Sequence, residues 1–213
     1  MIAVLTGDIV NSTKMSKETY SEVIKQLTSL LQDVNVQFNA VGEIYRGDEF
    51  QIQYPNPLDA LKSTLLIKLA LHLATFSEKP IQCTLSLAYG EYDIYADKPN
   101  TSSGSVFVAS GRGLQKTSRG ELSLLIEQDL DESELNLLTQ FLNHLLNRLT
   151  KTQATLLYQY IENDFTDHKT MAELTATTRQ NISNRLSNIG ANLIKEYIEN
   201  VNRKIEYLKE KSQ

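Results

Sequence analysis

The sequence predicts an α+β protein in which a sheet with packed helices comes first and an all-helical part follows. Two observations support this class. Up to about residue 126, apolar runs and two-residue alternation typical of strands occur between segments with helical spacing. Beyond residue 129, only helical spacing remains. We therefore predict two domains, at residues 1–130 and 131–213.

The predicted elements of the first part follow the order βαββαβαβ. They are a strand at 2–6, a helix at 17–38, a hairpin at 43–54 with Gly47-Asp48 at its turn, a helix at 58–76, a strand at 82–89, a helix at 106–115 and a strand at 121–126. The Pro- and Ser-containing segment 92–105 is predicted to be irregular. This order predicts a sheet with its helices on one face.

Composition excludes several classes of protein. With 41% hydrophobic and 22% charged residues among 213, the chain is expected to be a soluble globule rather than a disordered protein. The single cysteine, Cys83, excludes an internal disulfide and a Cys-rich zinc site. The N-terminal apolar run ends at Asp8, which is unlike a signal peptide or a membrane span. We expect a cytoplasmic protein with no membrane partner.

Charge is divided unevenly along the chain. Residues 1–147 contain 11 Lys and Arg against 18 Asp and Glu, a net charge of −7. Residues 148–213 contain 10 against 8, a net charge of +2. This difference predicts that the two parts bind different partners.

Two aspartates follow strand segments, Asp8 after the first strand and Asp48 in the hairpin turn. Neighbouring strand ends can bring such side chains together, and paired aspartates with a backbone carbonyl suit Mg²⁺ or Mn²⁺. A cation held there can bind the phosphates of a nucleotide. Asn11, Ser12 and Thr13 are predicted to supply caps and free N–H groups at the next helix, where anions bind. The alternative is that all of these are ordinary turn and cap residues.

Three segments of the sequence together carry a family resemblance. They are Gly7-Asp8-Ile9-Val10-Asn11-Ser12, Gly47-Asp48-Glu49-Phe50-Gln51 and Gly104-Ser105-Val106-Phe107-Val108-Ala109. The segment from Thr6 to Ser12, taken with Arg46-Gly47-Asp48-Glu49-Phe50, looks like the metal-binding framework of class III nucleotidyl cyclases and GGDEF-type diguanylate cyclases. All three resemble the SatD family of small bacterial proteins, over essentially the whole chain. The resemblance implies a ferredoxin-like, nucleotidyl-cyclase-type palm followed by a helix-turn-helix domain.

The resemblance also implies functional residues. The implied metal ligands are Asp8, Asp48 and the backbone carbonyl of Ile9. The candidate nucleotide-binding residues are Asn11, Ser12, Arg46, Gly47 and Arg112. Lys116 and Arg119 are further cations that could contact phosphate, and the alternative for these and for the two arginines is solvated surface charge.

The chain departs from the catalytic families at three places. Arg46 stands where a diguanylate cyclase has a second glycine. The stretch from Phe107 to Arg112 lacks the asparagine of class III cyclases, so only Arg112 could serve there. The purine-selecting lysine and aspartate are not recognisable. Metal and phosphate binding could therefore persist without cyclisation.

A second motif lies in residues 169–186. Ala172, Ala176 and Ile182 have the core spacing of a helix-turn-helix, with a polar break at 175–178. The candidate DNA-binding residues on the second helix are Thr178, Arg179, Gln180, Ser183, Asn184 and Ser187. The alternative is a pair of packed helices with polar surfaces, or a motif used for protein contact.

The last helix carries apolar residues at heptad spacing. They are Ala191, Ile194, Ile198, Val201, Ile205 and Leu208. This stripe could pair with its twin in a homodimer, or it could pack back on the helix predicted at 135–149. Both remain open at this point.

These observations lead to three hypotheses. The leading one is a SatD-like cytoplasmic regulator, in which a nucleotide- and metal-binding cyclase-like domain is coupled to a DNA-binding helix-turn-helix. The alternative is an active metal-dependent nucleotidyl cyclase or nucleotidyltransferase that uses Asp8 and Asp48, with the tail serving dimerisation. The third is a palm without ligand, with function residing only in the tail.

Overall fold

The computed structural model describes residues 1–127 and 132–211. The strands are β1 (Ile2–Ile9), β2 (Val41–Arg46), β3 (Glu49–Tyr54), β4 (Cys83–Gly90) and β5 (Leu122–Ile126). The helices are α1 (Lys17–Phe38), α2 (Ala60–His72), α3 (Ser105–Lys116), α4 (Glu132–Asn147), α5 (Lys151–Glu162), α6 (His168–Leu174), α7 (Arg179–Ile189) and α8 (Ala191–Lys211). None of the helices in these two ranges has the length and hydropathy that crossing a membrane requires.

The five strands form one sheet in the order β2-β3-β1-β4-β5. β1 lies in the middle and pairs antiparallel with β3 and with β4, whereas β5 pairs parallel with β4. The order β2-β3-β1-β4 is that of a ferredoxin-like βαββαβ unit, to which β5 adds one edge strand. The predicted α+β class and the predicted hairpin with Gly47-Asp48 at its turn are confirmed.

One face of the sheet, which we call the core face, carries the large hydrophobic core. Because strand side chains alternate, Ala3, Leu5 and Ile9 of β1 point to this face. α1 packs there through Val23, Leu27, Leu31 and Val34, and α2 through Leu61, Leu65 and their neighbours. α1 begins and ends where its spacing predicts. α2 is shorter than predicted at both ends, since residues 57–59 form a separate 3₁₀ turn and the helix ends at His72 rather than at residue 76.

The expectation that all helices lie on one face is wrong for α3. The opposite face, called here the α3 face, presents Ile2 and Val4 of β1, which form a separate small core with Ala88 and Val106. α3 approaches closely because Gly113 has no side chain: a Cβ there would lie 2.2 Å from the Ser86 hydroxyl. The sheet is therefore covered on both faces.

The helical part packs on the same core as the sheet. α4 contacts β5, and α5 contacts α2 and α7. Residues of α5, α7 and α8 belong to the continuous cluster that includes the core face of the sheet. The predicted domain boundary between residues 130 and 131 lies outside the described residues.

The apolar stripe of α8 is buried within the same chain. Ala191, Ile194, Ile198, Val201 and Ile205 are each no more than 5% exposed. The Tyr197 hydroxyl also lies 2.6 Å from Thr139 Oγ1 of α4. Of the two arrangements that the heptad spacing left open, the described chain has the intramolecular one. A homodimer stays a prediction, and it would need a surface other than this stripe.

Candidate functional site

Asp8 and Asp48 lie at the same end of the sheet, at a point where the backbones approach closely. Gly7 of β1 pairs with Phe50 of β3, and Asp48 lies in the turn directly before β3. A Cβ on Gly7 would lie 2.3 Å from the Phe50 ring, so only glycine leaves room for this ring. The glycine of the Gly-Asp motif is therefore required by the phenylalanine of the Gly-Asp-Glu-Phe motif, because the two residues pack against each other. Since Asp8 alternates with Ile9, its side chain points to the α3 face.

The two carboxyl groups interact. Burial, together with the charge and hydrogen bonding of Asp48, raises the pKa of Asp8 from 3.8 to about 6. Glu49 adds a smaller effect in the same direction, and Arg119 opposes it. A bound cation would favour the ionised form of Asp8, and so would offset this effect.

A second observation concerns Asp48 itself. Its Oδ2 atom is buried and has no hydrogen-bond partner among the described residues. A buried carboxylate oxygen without a partner is costly unless a ligand satisfies it. The oxygen donors of the aspartate pair thus fit a hard divalent cation such as Mg²⁺ or Mn²⁺.

The protein side chains supply only part of a metal coordination shell. Within residues 1–127 and 132–211, no group of three or more His, Cys, Asp and Glu side chains is arranged to hold a metal ion. Glu49 is near, but its Oε1 accepts a hydrogen bond of 2.8 Å from the Tyr45 hydroxyl. A cation here would therefore need further oxygen ligands from backbone, water or phosphate, which is usual for Mg²⁺.

The segment after β1 differs from its prediction. Ile9 buries its side chain in the core, so only its backbone could face a ligand. Asn11 has a left-handed backbone and is exposed, and Ser12–Lys14 form one 3₁₀ turn. The expectation that residues 11–13 cap the next helix is wrong, because Ser16 caps α1 by accepting a hydrogen bond from the Thr19 N–H.

The structure separates the candidate cations. Arg46 is exposed at the end of β2, beside Gly47, whose φ of +60° suits the tight turn. Arg112 is exposed on α3, whose buried residues are Val106, Ser110 and Gly113. The charge of Arg119, by contrast, acts to lower the pKa of Asp8 against the larger effects that raise it. Arg119, in the turn between α3 and β5, is thus the cation that the fold brings to the aspartate pair.

A buried polar network connects α3 to the strands beside Asp8. The Ser110 hydroxyl donates to the Ser86 carbonyl at 3.0 Å and lies 2.6 Å from Thr6 Oγ1. Thr6 Oγ1 also accepts from the Gln51 side-chain amide at 2.9 Å. Since Ser110 has one proton, Thr6 donates to it. This network, which sequence spacing did not reveal, fixes α3 at its place on the sheet.

The second motif forms two short helices, α6 and α7, joined at residues 175–178. Ala172 and Ile182 are buried, while Ala176 in the connection has a positive φ of 50°. All but one of the six candidate DNA-binding side chains are exposed, and Ser183 is half-buried. Three of the six have partners within the chain: Thr178 caps α7, and Gln180 donates to Asn184 at 3.1 Å.

Comparisons with known proteins give structural likeness only. No protein-family model and no curated protein matches the chain. The guanylyl cyclase Cya2 is similar at 18% identity, over 58% of this chain and 73% of its own, with a TM-score of 0.45. The guanylate cyclase domain of RhGC from Catenaria anguillulae, solved with GTP, is similar at 16% identity over 58% and 76%, TM-score 0.45. The monomeric guanylyl cyclase domain of the RhoGC fusion protein from the aquatic fungus Blastocladiella emersonii is similar at 12% identity over 58% and 79%, TM-score 0.47.

Proposed function

We propose that the sheet part binds a complex of Mg²⁺ or Mn²⁺ with a nucleoside phosphate at the aspartate pair. The observation that carries this proposal is the convergence of Asp8 and Asp48, forty residues apart in sequence, with a buried Asp48 oxygen that no described residue hydrogen-bonds. When bound, the cation would offset phosphate charge and polarise phosphoryl oxygens. Asp8 and Asp48 would hold it, with the Ile9 carbonyl as a further ligand.

Charge supports a phosphate ligand. Arg119 lies close enough to act on the Asp8 carboxyl, and it forms no ion pair within 4 Å among the described residues. A guanidinium beside a carboxylate-held cation suits a polyanion, because it forms charge-assisted hydrogen bonds with phosphate oxygens. Asn11, Ser12, Arg46, Gly47 and Arg112 stay predicted contacts for the rest of the nucleotide.

A thermal-shift panel tests this function. ATP, GTP and their diphosphates are each added with and without Mn²⁺, because a ligand that binds the native state raises the melting temperature. We expect metal and nucleotide together to give a larger shift than either gives alone. Asp48→Asn should remove this shift, and Asp33→Asn, at an exposed aspartate on α1, should retain it. No shift with any pair, or an equal shift in Asp48→Asn, would contradict the proposal.

An active nucleotidyl cyclase or nucleotidyltransferase is the alternative use of the same site. It is tested by incubating the protein with labelled ATP or GTP and Mn²⁺. Product that forms with the wild type and disappears in Asp48→Ala would favour the enzyme. Binding without product would favour a nucleotide sensor. The missing asparagine in the stretch from Phe107 to Arg112 favours the sensor, because the class III cyclases that this chain resembles use that side chain in cyclisation.

A second function is proposed for the helical part, namely DNA binding through α6 and α7. α7 presents Arg179, Gln180, Asn184 and Ser187 to solvent and carries no acidic residue. Arg, Gln and Asn side chains on such a helix can contact base edges and phosphates. The net charge of +2 on residues 148–213 is compatible with this partner.

Selection from a random DNA library, followed by fluorescence anisotropy, tests the DNA-binding proposal. Arg179→Ala should weaken binding to the selected sequence about tenfold, since one good base or phosphate contact contributes ~1–3 kcal/mol. Arg203→Ala removes an exposed cation from α8 instead and should change the affinity little. No selected sequence, or equal losses in the two variants, would refute the proposal.

Coupling between the two functions has a physical route through α2. This helix packs under the sheet and against α5, and Lys62 on α2 forms an ion pair with Asp164 after α5. If occupancy changes DNA affinity, the DNA must change nucleotide affinity by the same factor. The regulator hypothesis is tested by measuring the DNA affinity with and without nucleotide, and the nucleotide affinity with and without DNA. If neither ligand changes the affinity for the other, the hypothesis is rejected.

A further inference from the structure

A buried lysine lies behind the aspartate pair, on the core face of the sheet. Lys68 of α2 is only 8% exposed, and no carboxylate pairs with it among the described residues. Its ammonium group donates instead to two backbone carbonyls, those of Gly120 at 2.6 Å and Cys83 at 3.3 Å. Burying an ammonium group is costly, so this placement calls for a reason beyond filling space.

The Gly120 carbonyl belongs to the turn that carries Arg119. The Glu121 N–H donates to the Ser118 carbonyl at 3.0 Å, which closes a four-residue β-turn with Arg119 at its second position. Gly120 occupies the third position with a φ of +78°, a conformation that favours glycine. The hydrogen bond of this turn and the backbone conformation of Gly120 thus restrict the backbone of Arg119.

The same turn is held from the α3 face as well. The Gly120 N–H donates to Thr84 Oγ1 at 3.1 Å. Thr84 is the direct cross-strand partner of Asp8 in the sheet. The two groups of Gly120 are therefore held from opposite faces, its N–H by Thr84 and its carbonyl by Lys68. Through Thr84, this places the Arg119 turn next to Asp8 independently of any charge effect.

We infer that Lys68 and Thr84 are positioning residues that hold Arg119 at the aspartate pair for contact with the phosphates of the ligand. This inference rests on the proposed function. An arginine side chain has many conformations, so fixing its backbone reduces the ordering cost of each phosphate contact. Neither Lys68 nor Thr84 needs to touch the ligand.

If Lys68 and Thr84 position Arg119, their loss should affect the affinity for Mn²⁺ alone and the affinity for Mn²⁺ with triphosphate differently. Arg119 is a cation, so loss of its position leaves the affinity for Mn²⁺ alone unchanged or tighter. The affinity for Mn²⁺ with inorganic triphosphate should fall about tenfold, the loss expected for a charge-assisted hydrogen bond. A residue that merely stabilises the fold would move both affinities together.

Calorimetric titration of the full chain with Mn²⁺, and then with inorganic triphosphate in saturating Mn²⁺, measures this split. Thr84→Val removes the hydroxyl without changing charge or shape, and Thr84→Ser retains the hydroxyl as its matched control. Lys68→Met is compared with Lys79→Met, which removes an exposed cation. Should Lys68→Met fail to fold, the Thr84 pair decides the question.

Each variant is also made in the Arg119→Ala background. We expect Thr84→Val and Lys68→Met to weaken triphosphate binding when Arg119 is present and to have no further effect when it is absent. Losses that persist in the Arg119→Ala background, or wild-type affinity in Thr84→Val, would overturn the inference while leaving the proposed function intact. A wild type that binds no Mn²⁺-triphosphate would overturn both.

Discussion

Replacing Asp8 with asparagine should stabilise the ligand-free protein at neutral pH. In the native state, burial and the nearby Asp48 raise the pKa of Asp8 to about 6, against 3.8 for the ordinary side chain. Keeping this carboxyl ionised in the folded state therefore costs free energy above pH 6. Asparagine has nearly the same size and no charge, so the substitution removes this cost together with one metal ligand.

The size of the effect follows from the pKa difference. A shift of about two units corresponds to ~3 kcal/mol as an upper limit, at 1.36 kcal/mol per unit. Because Asp8 is partly exposed, solvent screening reduces the expected gain to about 1 kcal/mol. The sign follows from proton binding: the native state binds the proton more tightly than the unfolded state. The destabilising contribution of Asp8 therefore shrinks as the pH falls from above 6 towards 4, and the advantage of Asp8→Asn is largely lost by pH 4.

Urea unfolding at pH 7.5 and at pH 4 measures this directly. Asp8→Asn should be more stable than wild type at pH 7.5 and about equal to it at pH 4, while Asp33→Asn shows no such dependence. Added Mn²⁺ should stabilise the wild type and leave Asp8→Asn unchanged. A variant that is less stable than wild type at pH 7.5, or a difference that does not vary with pH, would refute the electrostatic account of the aspartate pair.

Three further predictions concern stability and assembly, and thermal or urea unfolding measures the first two. Gly7→Ala should destabilise by about 2 kcal/mol through overlap with the Phe50 ring 2.3 Å away. Gly111→Ala should be neutral or stabilising by about 0.5–1 kcal/mol, because beyond the backbone of its own helix and its chain neighbours no described atom lies within 4 Å of the added Cβ. Asn143→Ala should lower the free energy of unfolding by about 2 kcal/mol. The Asn143 side chain accepts a hydrogen bond of 2.9 Å from the Leu122 N–H and donates one of 2.8 Å to the Leu122 carbonyl, at the start of β5. A variant as stable as the wild type would contradict this role. Ile205→Ala should lower the free energy of unfolding by about 2–5 kcal/mol, since this side chain is fully buried within one chain. For the same reason, the molecular mass measured by light scattering should not change. A change of mass would indicate an intermolecular role.

Local patterns in the sequence were sufficient for most elements. The spacing of Val23, Leu27, Leu31 and Val34 locates α1, and alternation around Gly47-Asp48 locates the hairpin. Such periodicity is a local property, because each residue's side of a helix or strand depends on its neighbours in sequence. The predictions for the ends of α2 and for the cap of α1 were less accurate, since turns and caps depend on single hydrogen bonds.

The candidate site was accessible from sequence only in part. The motifs identified Asp8 and Asp48, and the sheet order brings them together. They favoured Arg46 and Arg112 as nucleotide-binding residues, whereas Arg119 was only one of two further cations that could contact phosphate. Thr84 and Lys68 carried no signal, because their role comes from contacts made across the sheet by residues far apart in the chain.

The sequence by itself determined the order of strands and helices, the glycine-aspartate motifs and the apolar stripe of the last helix, since each is written in neighbouring residues. The tertiary structure alone decided that α3 covers the second face of the sheet, that the stripe of α8 packs inside its own chain, and that Arg119 is held beside the aspartates. The physical reason is that one amphipathic pattern has the same local energy against any apolar surface. Which surface it meets is fixed only when the whole core packs without voids or unpaired groups.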